Sequence, residues 1–429
     1  MTRTRSLRAS FSRALVLAAM TLGALISPAG AAPLDQRIAS VVASSGVRGI
    51  SSVYVWDQTT RDVIYASGPG RPVAPASTMK LLTSAAALAE FGPEHTFDTK
   101  VALTGFATGG VWNGNVWLIG GGDPSLSTAG FARDNYGGAG SNIAALVAPL
   151  RARGITSVTG RILVDDSHLD RMRYVREWPS RFRFEETGAL GGLTVNQSLV
   201  GRYVGSASTR APDIRAGDVY KDLLERSGID VAGTTLSSTV PATAEIAGSV
   251  KSPPLRVLLQ HMNRSSDNFY AEILLKDIGR EAGGPSSGTT SDGRVAARAK
   301  LASLGVDMKA VTWHDGSGLA YGNRVSARVL GHVLGVGAQA TWGPYWINSL
   351  ARSGGQGTLH KRMRTRPYRG RVHAKTGTLN HVSALAGFSE RLSGRRYGFA
   401  VVTYSSPGAH ISTNAAHSLQ DRIAMILVR

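Results

Sequence analysis

Three short polar motifs, far apart and in a set order, constrain this 429-residue chain more than any other feature. Ser77-Thr78-Met79-Lys80 comes first, Ser266-Asp267-Asn268 second, and Lys375-Thr376-Gly377-Thr378 third. Ser77 and Ser266 alone are 266 − 77 = 189 positions apart. A fold that puts the three to one use must draw them together across most of the chain. No single match is specific, because an S-x-N triplet recurs at Ser412-Thr413-Asn414, to which no function is assigned. The order carries the information.

The motifs supply the parts for acyl transfer through a serine ester. Pro75-Ala76-Ser77 opens a predicted helix, Ser77 to Ala89, ended by Gly92-Pro93. Residues i and i+3 share a helix face, so the Lys80 amine can reach the Ser77 hydroxyl. A serine hydroxyl is a weak nucleophile until a base takes its proton. Lysine serves as that base only when desolvation or a nearby cation, here Lys375, pulls its pKa down. Ser266 can relay the proton to a leaving amine. The Asn268 amide donates and accepts, so it can hold Lys80 and a substrate carbonyl at once. Lys375 offers a compact charge to a free carboxylate, and Gly377 permits close approach of substrate backbone. The strand bearing Thr376 and Thr378 can bind an extended peptide, with the N–H groups of Ser77 and Thr378 facing an oxyanion. Taken singly, the motifs have ordinary readings: an N-cap serine with a surface lysine, a polar helix break, a basic strand end. Their joint, ordered occurrence favours the chemical one.

Around the motifs the predicted elements are a helix (Asp35 to Ser44), a strand pair (Ser51 to Trp56, Asp62 to Ala66), and a helix from Pro254 to Ile278 broken at Ser266. Strands follow near Gly370 to Lys375, Ala384 to Phe388 and Tyr397 to Tyr404, then a closing helix from Ser412 to Val428. The stretch between differs. It holds short strands (Thr99 to Leu103, Val116 to Ile119), Gly-rich turns, and a helix-to-strand step from Gly154 to Val164. The expected fold is α+β, an antiparallel sheet flanked by helices, in segments 32–95 and 251–429, interrupted by a smaller inserted domain over 96–250.

Residues 1–31 read as a signal peptide. Arg3, Arg5, Arg8 and Arg13 precede an apolar run from Ala14 to Ile26 and the small-residue site Ala29-Gly30-Ala31. The other reading, an N-terminal membrane anchor, is disfavoured by the shortness of that run. The protein is therefore expected outside the cytoplasm, periplasmic or extracellular and associated with the cell envelope. With no cysteine, disulfides, thiolate metal sites and a lipidated cysteine are excluded. The formal charge of +19 falls to 19 − 4 = +15 without the leader. Such a surface suits anionic envelope polymers or lipid headgroups, and it equally suits a charge that only keeps the protein in solution; export argues against nucleic acid. No metal or other cofactor is expected, since the ten histidines lack H-E-x-x-H spacing and no G-x-x-x-x-G-K loop occurs. His373 reads as a strand residue. Gly284-Pro285-Ser286-Ser287-Gly288 fits a nucleophile-elbow pattern but lacks the strand before it and the helix directly after it.

Taken with further blocks, the motifs resemble the peptidase S13 group of low-molecular-mass penicillin-binding proteins, which are D-alanyl-D-alanine carboxypeptidases and endopeptidases. The blocks are Gly120 to Leu126, Val164 to Ser167, Leu193 to Asn196, Asp315 to Leu319, Asn323 to Ser326 and Gly357 to Leu359. The resemblance implies a transpeptidase-like domain interrupted after the first motif's helix. It implies Ser77 as acylated nucleophile, Lys80 as base, Ser266 and Asn268 as relay, and Lys375, Thr376 and Thr378 as holders of the substrate carboxylate. It places Asp123 near the cleft, facing the substrate's amino group. Stem peptides of peptidoglycan would be substrates and β-lactams acylating inhibitors. Two departures stand out. The short path from Asn196 to Ala211 implies that a further small domain common in the family is absent. Ala320-Tyr321 stands where the family often carries Ser-Arg. The rival readings are a serine β-lactamase, which needs a carboxylate placed for deacylation, and a non-catalytic envelope-binding protein.

Overall fold

The computed structural model describes residues 32–201, 209, 211–405 and 411–429. The expected leader, 1–31, lies outside the described residues, as do 202–208 within the stretch where a further domain is expected to be missing.

Alternation dictates the main sheet. In the Ile50–Asp57 strand, Val53 and Val55 point to one side and Tyr54 and Trp56 to the other, and all four are buried. A strand apolar on both faces belongs inside a sheet covered twice. It lies between Arg396–Tyr404 and Val63–Ser67 in a sheet of order Ala351–Arg352, Val372–Leu379, Val382–Glu390, Arg396–Tyr404, Ile50–Asp57, Val63–Ser67. The pairings are antiparallel throughout.

One face is covered by both chain ends. The helices Leu34–Ala43 and Thr413–Val428 pack Ile38, Leu419, Ile423 and Leu427 against Val53, Val55, Phe399 and Val401. The other face carries the larger core, centred on the helix Lys80–Phe91, whose Leu81, Leu82, Ala85, Ala86 and Leu88 are at most 1% exposed. Helices Leu255–Ser265, Asn268–Gly283 and Ala327–Gln339 pack around it. The central helix is therefore buried over most of its surface, its buried polar side chains Lys80, Thr83 and Ser84 being hydrogen-bonded inside. Each buried leucine contributes roughly 1.5–3 kcal/mol.

Residues 98–251 build a second, mixed sheet. Asp98–Thr108 pairs antiparallel with Val111–Ile119 and with Glu245–Lys251. Short strands Ser157–Val158 and Ile162–Asp165 add in parallel. Its core includes Val101, Val116, Leu118, Ile143, Ile162 and Tyr220. The expected helix-to-strand step at 154–164 differs here. The helix lies earlier, at Ala148–Ala152; Gly154, with φ +68°, sits in the turn beyond it, and two short strands follow. Leu34–Arg429 forms one compact unit, and its architecture is α+β.

Candidate active site

The first motif opens on a forced turn. Ala76 has φ +47° and Gly318, packed against it, has φ +88°. One 3-10 turn, Ala76–Met79, then leads into the Lys80–Phe91 helix. That turn places Ser77 half-buried at the core's edge and Lys80 wholly inside. The Lys80 Nζ donates to Ser77 Oγ at 3.2 Å, to Asn268 Oδ1 at 2.7 Å and to the Ser317 carbonyl at 2.8 Å. Burial lowers its pKa to about 8, against the opposing charges of Glu272, Asp315, Asp267 and Glu186.

The second motif is a break between two helices. Ser266 caps Leu255–Ser265 in the left-handed conformation, φ +65°. Asp267 then caps Asn268–Gly283, accepting from the Tyr270 N–H at 3.0 Å. The break throws the Ser266 and Asn268 side chains to the same side as Lys80 and Lys375. Burial opposes ionisation of Asp267. Hydrogen bonds from His261 Nε2 at 2.9 Å and Gln197 Nε2 at 2.6 Å nevertheless hold its pKa below the usual carboxylate value.

The third motif lies on the Val372–Leu379 strand. Lys375 is fully buried; its Nζ donates to Ser266 Oγ at 2.8 Å and to the Thr376 carbonyl at 3.0 Å. Burial and the neighbouring charge of Lys80 push its pKa well down. The Lys375 amine thus meets the Ser266 hydroxyl, while the Thr376 hydroxyl pairs with Thr358 Oγ1 at 2.9 Å and Thr378 is exposed. Gly377 has a second reason to be glycine. A Cβ there would come within 2.8 Å of the Pro75 carbonyl, so the strand lies directly against the Ser77 turn.

Ser77, Lys80, Ser266, Asn268 and Lys375 therefore converge, with Thr376, Gly377 and Thr378 along the bordering strand. Asp123 does not join them. It is 4% exposed, and its carboxylate accepts from the Ser125 N–H (2.8 Å) and from the hydroxyls of Ser125 and Ser141. Burial raises its pKa. The role expected of it, contact with a substrate amino group, requires an open carboxylate, which this one is not. Ser412 serves as the cap of the last helix. Ser287 lies in the turn between two helices, its hydroxyl donating to the Gly283 carbonyl. His373 is a strand residue paired opposite Phe388.

Two buried acids behind Lys80 escape motif reasoning. Glu272 accepts from the N–H groups of Gly316 (3.1 Å) and Ser317 (2.7 Å), and burial and the charge of Asp315 push its pKa up to about 8. Asp315 accepts from Gly318 N, Ala320 N, Asn323 Nδ2 and Trp178 Nε1. Together they fix the loop whose carbonyl, Ser317, holds Lys80. Asp315 lies in a block singled out by resemblance, without a role attached; Glu272 sits one helix turn after Asn268, on the same face, which is its only trace in the sequence. A third acid, Glu186, accepts from Asn268 Nδ2 through its backbone carbonyl at 3.0 Å and its carboxylate at 3.3 Å. No pattern in the sequence marks it.

The chain has relatives among known proteins. The D-alanyl-D-alanine carboxypeptidase of Actinomadura sp. (strain R39) is 29% identical, over 92% of this chain and 84% of that protein. Carboxypeptidase Rv3627c of Mycobacterium tuberculosis is 30% identical, over 85% and 78% respectively. Among solved structures, penicillin binding protein 4 (dacB) from Haemophilus influenzae superposes with a TM-score of 0.76, over 91% of this chain and 99% of that one; at 19% identity this shows a shared fold. Residues 34–182 and 191–428 match the D-Ala-D-Ala carboxypeptidase 3 (S13) family, and the chain belongs to it.

Proposed function

We propose that this protein is a serine D,D-peptidase. It cleaves the bond after the penultimate D-Ala of peptidoglycan stem peptides through an ester on Ser77, and β-lactams acylate the same hydroxyl. The observation that carries this reading is the bonded set Ser77–Lys80–Asn268 beside Lys375–Ser266, in which each motif meets another. In the acylation step, uncharged Lys80 takes the proton of Ser77 as Oγ bonds to the D-Ala carbonyl carbon. The N–H groups of Ser77 and Thr378 face the oxyanion. Ser266, held by Lys375, passes its proton to the departing amine as the amide bond breaks. It is reprotonated by the proton that Lys80 took, so that Lys80 and Ser266 end as they began. Water then cleaves the ester. The terminal carboxylate lies along the Thr376 and Thr378 hydroxyls, with Lys375 supplying the charge beneath.

The same reading assigns 32–95 and 251–429 to the catalytic domain and 96–250 to an insertion, with no further small domain between Asn196 and Ala211. It takes residues 1–31 as an export signal and the basic surface as a means of holding to anionic envelope polymers. Hydrolysis of a terminal D-Ala and of a D-Ala-linked crosslink are both within reach of one such site.

An intact-mass time course with benzylpenicillin, beside Ser77→Ala, tests the proposal. A one-equivalent adduct lasting many minutes, absent from the variant, is expected, with D-Ala release from a stem pentapeptide. Rapid drug hydrolysis without a lasting adduct identifies a β-lactamase. Neither adduct nor hydrolysis identifies a binding protein.

A further inference from the structure

The Asn268 amide nitrogen has two acceptors, both on one residue. Its Oδ1 is occupied by Lys80, so Nδ2 is turned the other way, toward the backbone carbonyl of Glu186 (3.0 Å) and the Glu186 carboxylate (3.3 Å). The carbonyl bond is the shorter and fixes the amide's orientation. The carboxylate bond is longer, and it draws on the same Nδ2 donor that a bound substrate carbonyl would use.

Three features single this contact out. Glu186 directly follows the short helix Phe182–Glu185, in the gap between the two stretches that match the family, 34–182 and 191–428, so the family pattern does not account for it. It is half-buried beside a cavity of about 320 Å³ that it lines with Ser266, Asn268, Gln197, His261 and Tyr136, so its side chain has room to swing. Its negative charge also acts on Lys80, favouring the protonated amine, as do Glu272, Asp315 and Asp267 from the neighbouring elements. On its own segment Glu185 and Arg181 are the charged neighbours, and burial raises the pKa of Glu186 itself.

We propose that Glu186 is a positioning residue that holds the Asn268 amide closed in the free enzyme and yields to substrate. When a substrate carbonyl takes the second N–H, the carboxylate swings into the cavity and away from Lys80. One of the four charges that favour the protonated amine, the smallest of them, is then farther off, so substrate binding itself eases Lys80 toward the uncharged base. The inference rests on the peptidase reading above.

Glu186→Gln and Glu186→Ala test it, with kcat and KM for D-Ala release measured separately and benzylpenicillin acylation followed against pH. Gln keeps the shape and an acceptor oxygen without the charge. Its acid limb of acylation moves to lower pH by about half a pH unit, about threefold in rate on that side. Ala also frees the amide donor, and KM falls by about threefold or more. An acid limb unmoved in both variants, with KM unchanged, overturns the proposal. A large fall in D-Ala release together with a much longer-lived penicilloyl adduct also overturns it, making Glu186 the base for deacylation. If wild-type protein is not acylated at all, the peptidase reading fails rather than this one.

Discussion

At the residue scale, burial turns a surface-type amine into a base. Lys80 is wholly enclosed, and its pKa of about 8 brings the uncharged amine within reach of neutral pH. Because only that form removes the Ser77 proton, acylation by benzylpenicillin should rise about tenfold per pH unit below about 8 and level off above it. Stopped-flow acylation across pH 5.5 to 9 checks this; a flat profile contradicts a lysine base. Asp315 makes the complementary case. Its carboxylate collects three N–H groups and the Trp178 indole, and Asp315→Asn turns one acceptor into a donor among donors. The expected cost is about 1–3 kcal/mol of stability, read by denaturant unfolding, with slower acylation because the Ser317 carbonyl shifts. The three motifs that converge were legible in the sequence because the chemistry they suggest fixes residue type and local spacing. Glu272 was not, because a buried carboxylate bonded to backbone N–H groups has no motif. The enclosure of Asp123 was not legible for the opposite reason. Its Gly-rich neighbourhood could be matched, but whether the Ser141 hydroxyl closes its carboxylate depends on a loop eighteen residues away.

At the element scale, the site is made by close backbone approach. The Ser77 turn is wedged between the Val372–Leu379 strand and the Gly316–Gly318 loop. A Cβ at position 377 would lie 2.8 Å from the Pro75 carbonyl, and one at 318 would lie 2.0 Å from the Ala76 carbonyl, with φ +88° besides. Gly377→Ala should cost about 1–3 kcal/mol and slow acylation as the strand backs away from Ser77. Gly318→Ala should cost more, since steric and conformational terms add. Thermal unfolding with penicilloylation rates checks the order; an equal or reversed order contradicts the wedge. The strands and the broken helix at Ser266 were readable from alternation and periodicity. The run Asn196, Gln197, Ser198, each with φ between +53° and +60°, was not, since none is glycine. That run positions Gln197 to hold Asp267, so local propensity there yields to the needs of the second motif.

At the scale of the whole molecule, the chain closes on itself around a sheet whose central strands come from opposite ends. Ile50–Asp57 pairs along its full length with Arg396–Tyr404, so the middle of the main sheet cannot form until the last strand is made. The helix Thr413–Val428 then seals the outer face. Leu419, Ile423, Leu427 and Val428 are each fully buried there. At roughly 1.5–3 kcal/mol apiece, these four side chains contribute about 6–12 kcal/mol. That is comparable to the entire stability of an ordinary domain, about 5–15 kcal/mol. Ending the chain before Ser412 removes none of the three motifs and no residue that touches Ser77 or Lys80. It should nonetheless abolish penicilloylation, because Val53, Val55, Phe399 and Val401 would face water on a sheet whose other face holds the nucleophile's helix. Soluble yield, far-UV circular dichroism and benzylpenicillin labelling of the truncated chain check this together. A truncated protein that folds and acylates normally would show that the catalytic face stands without the seal. Loss of labelling with secondary structure intact would instead place the helix's effect on the geometry of the site alone.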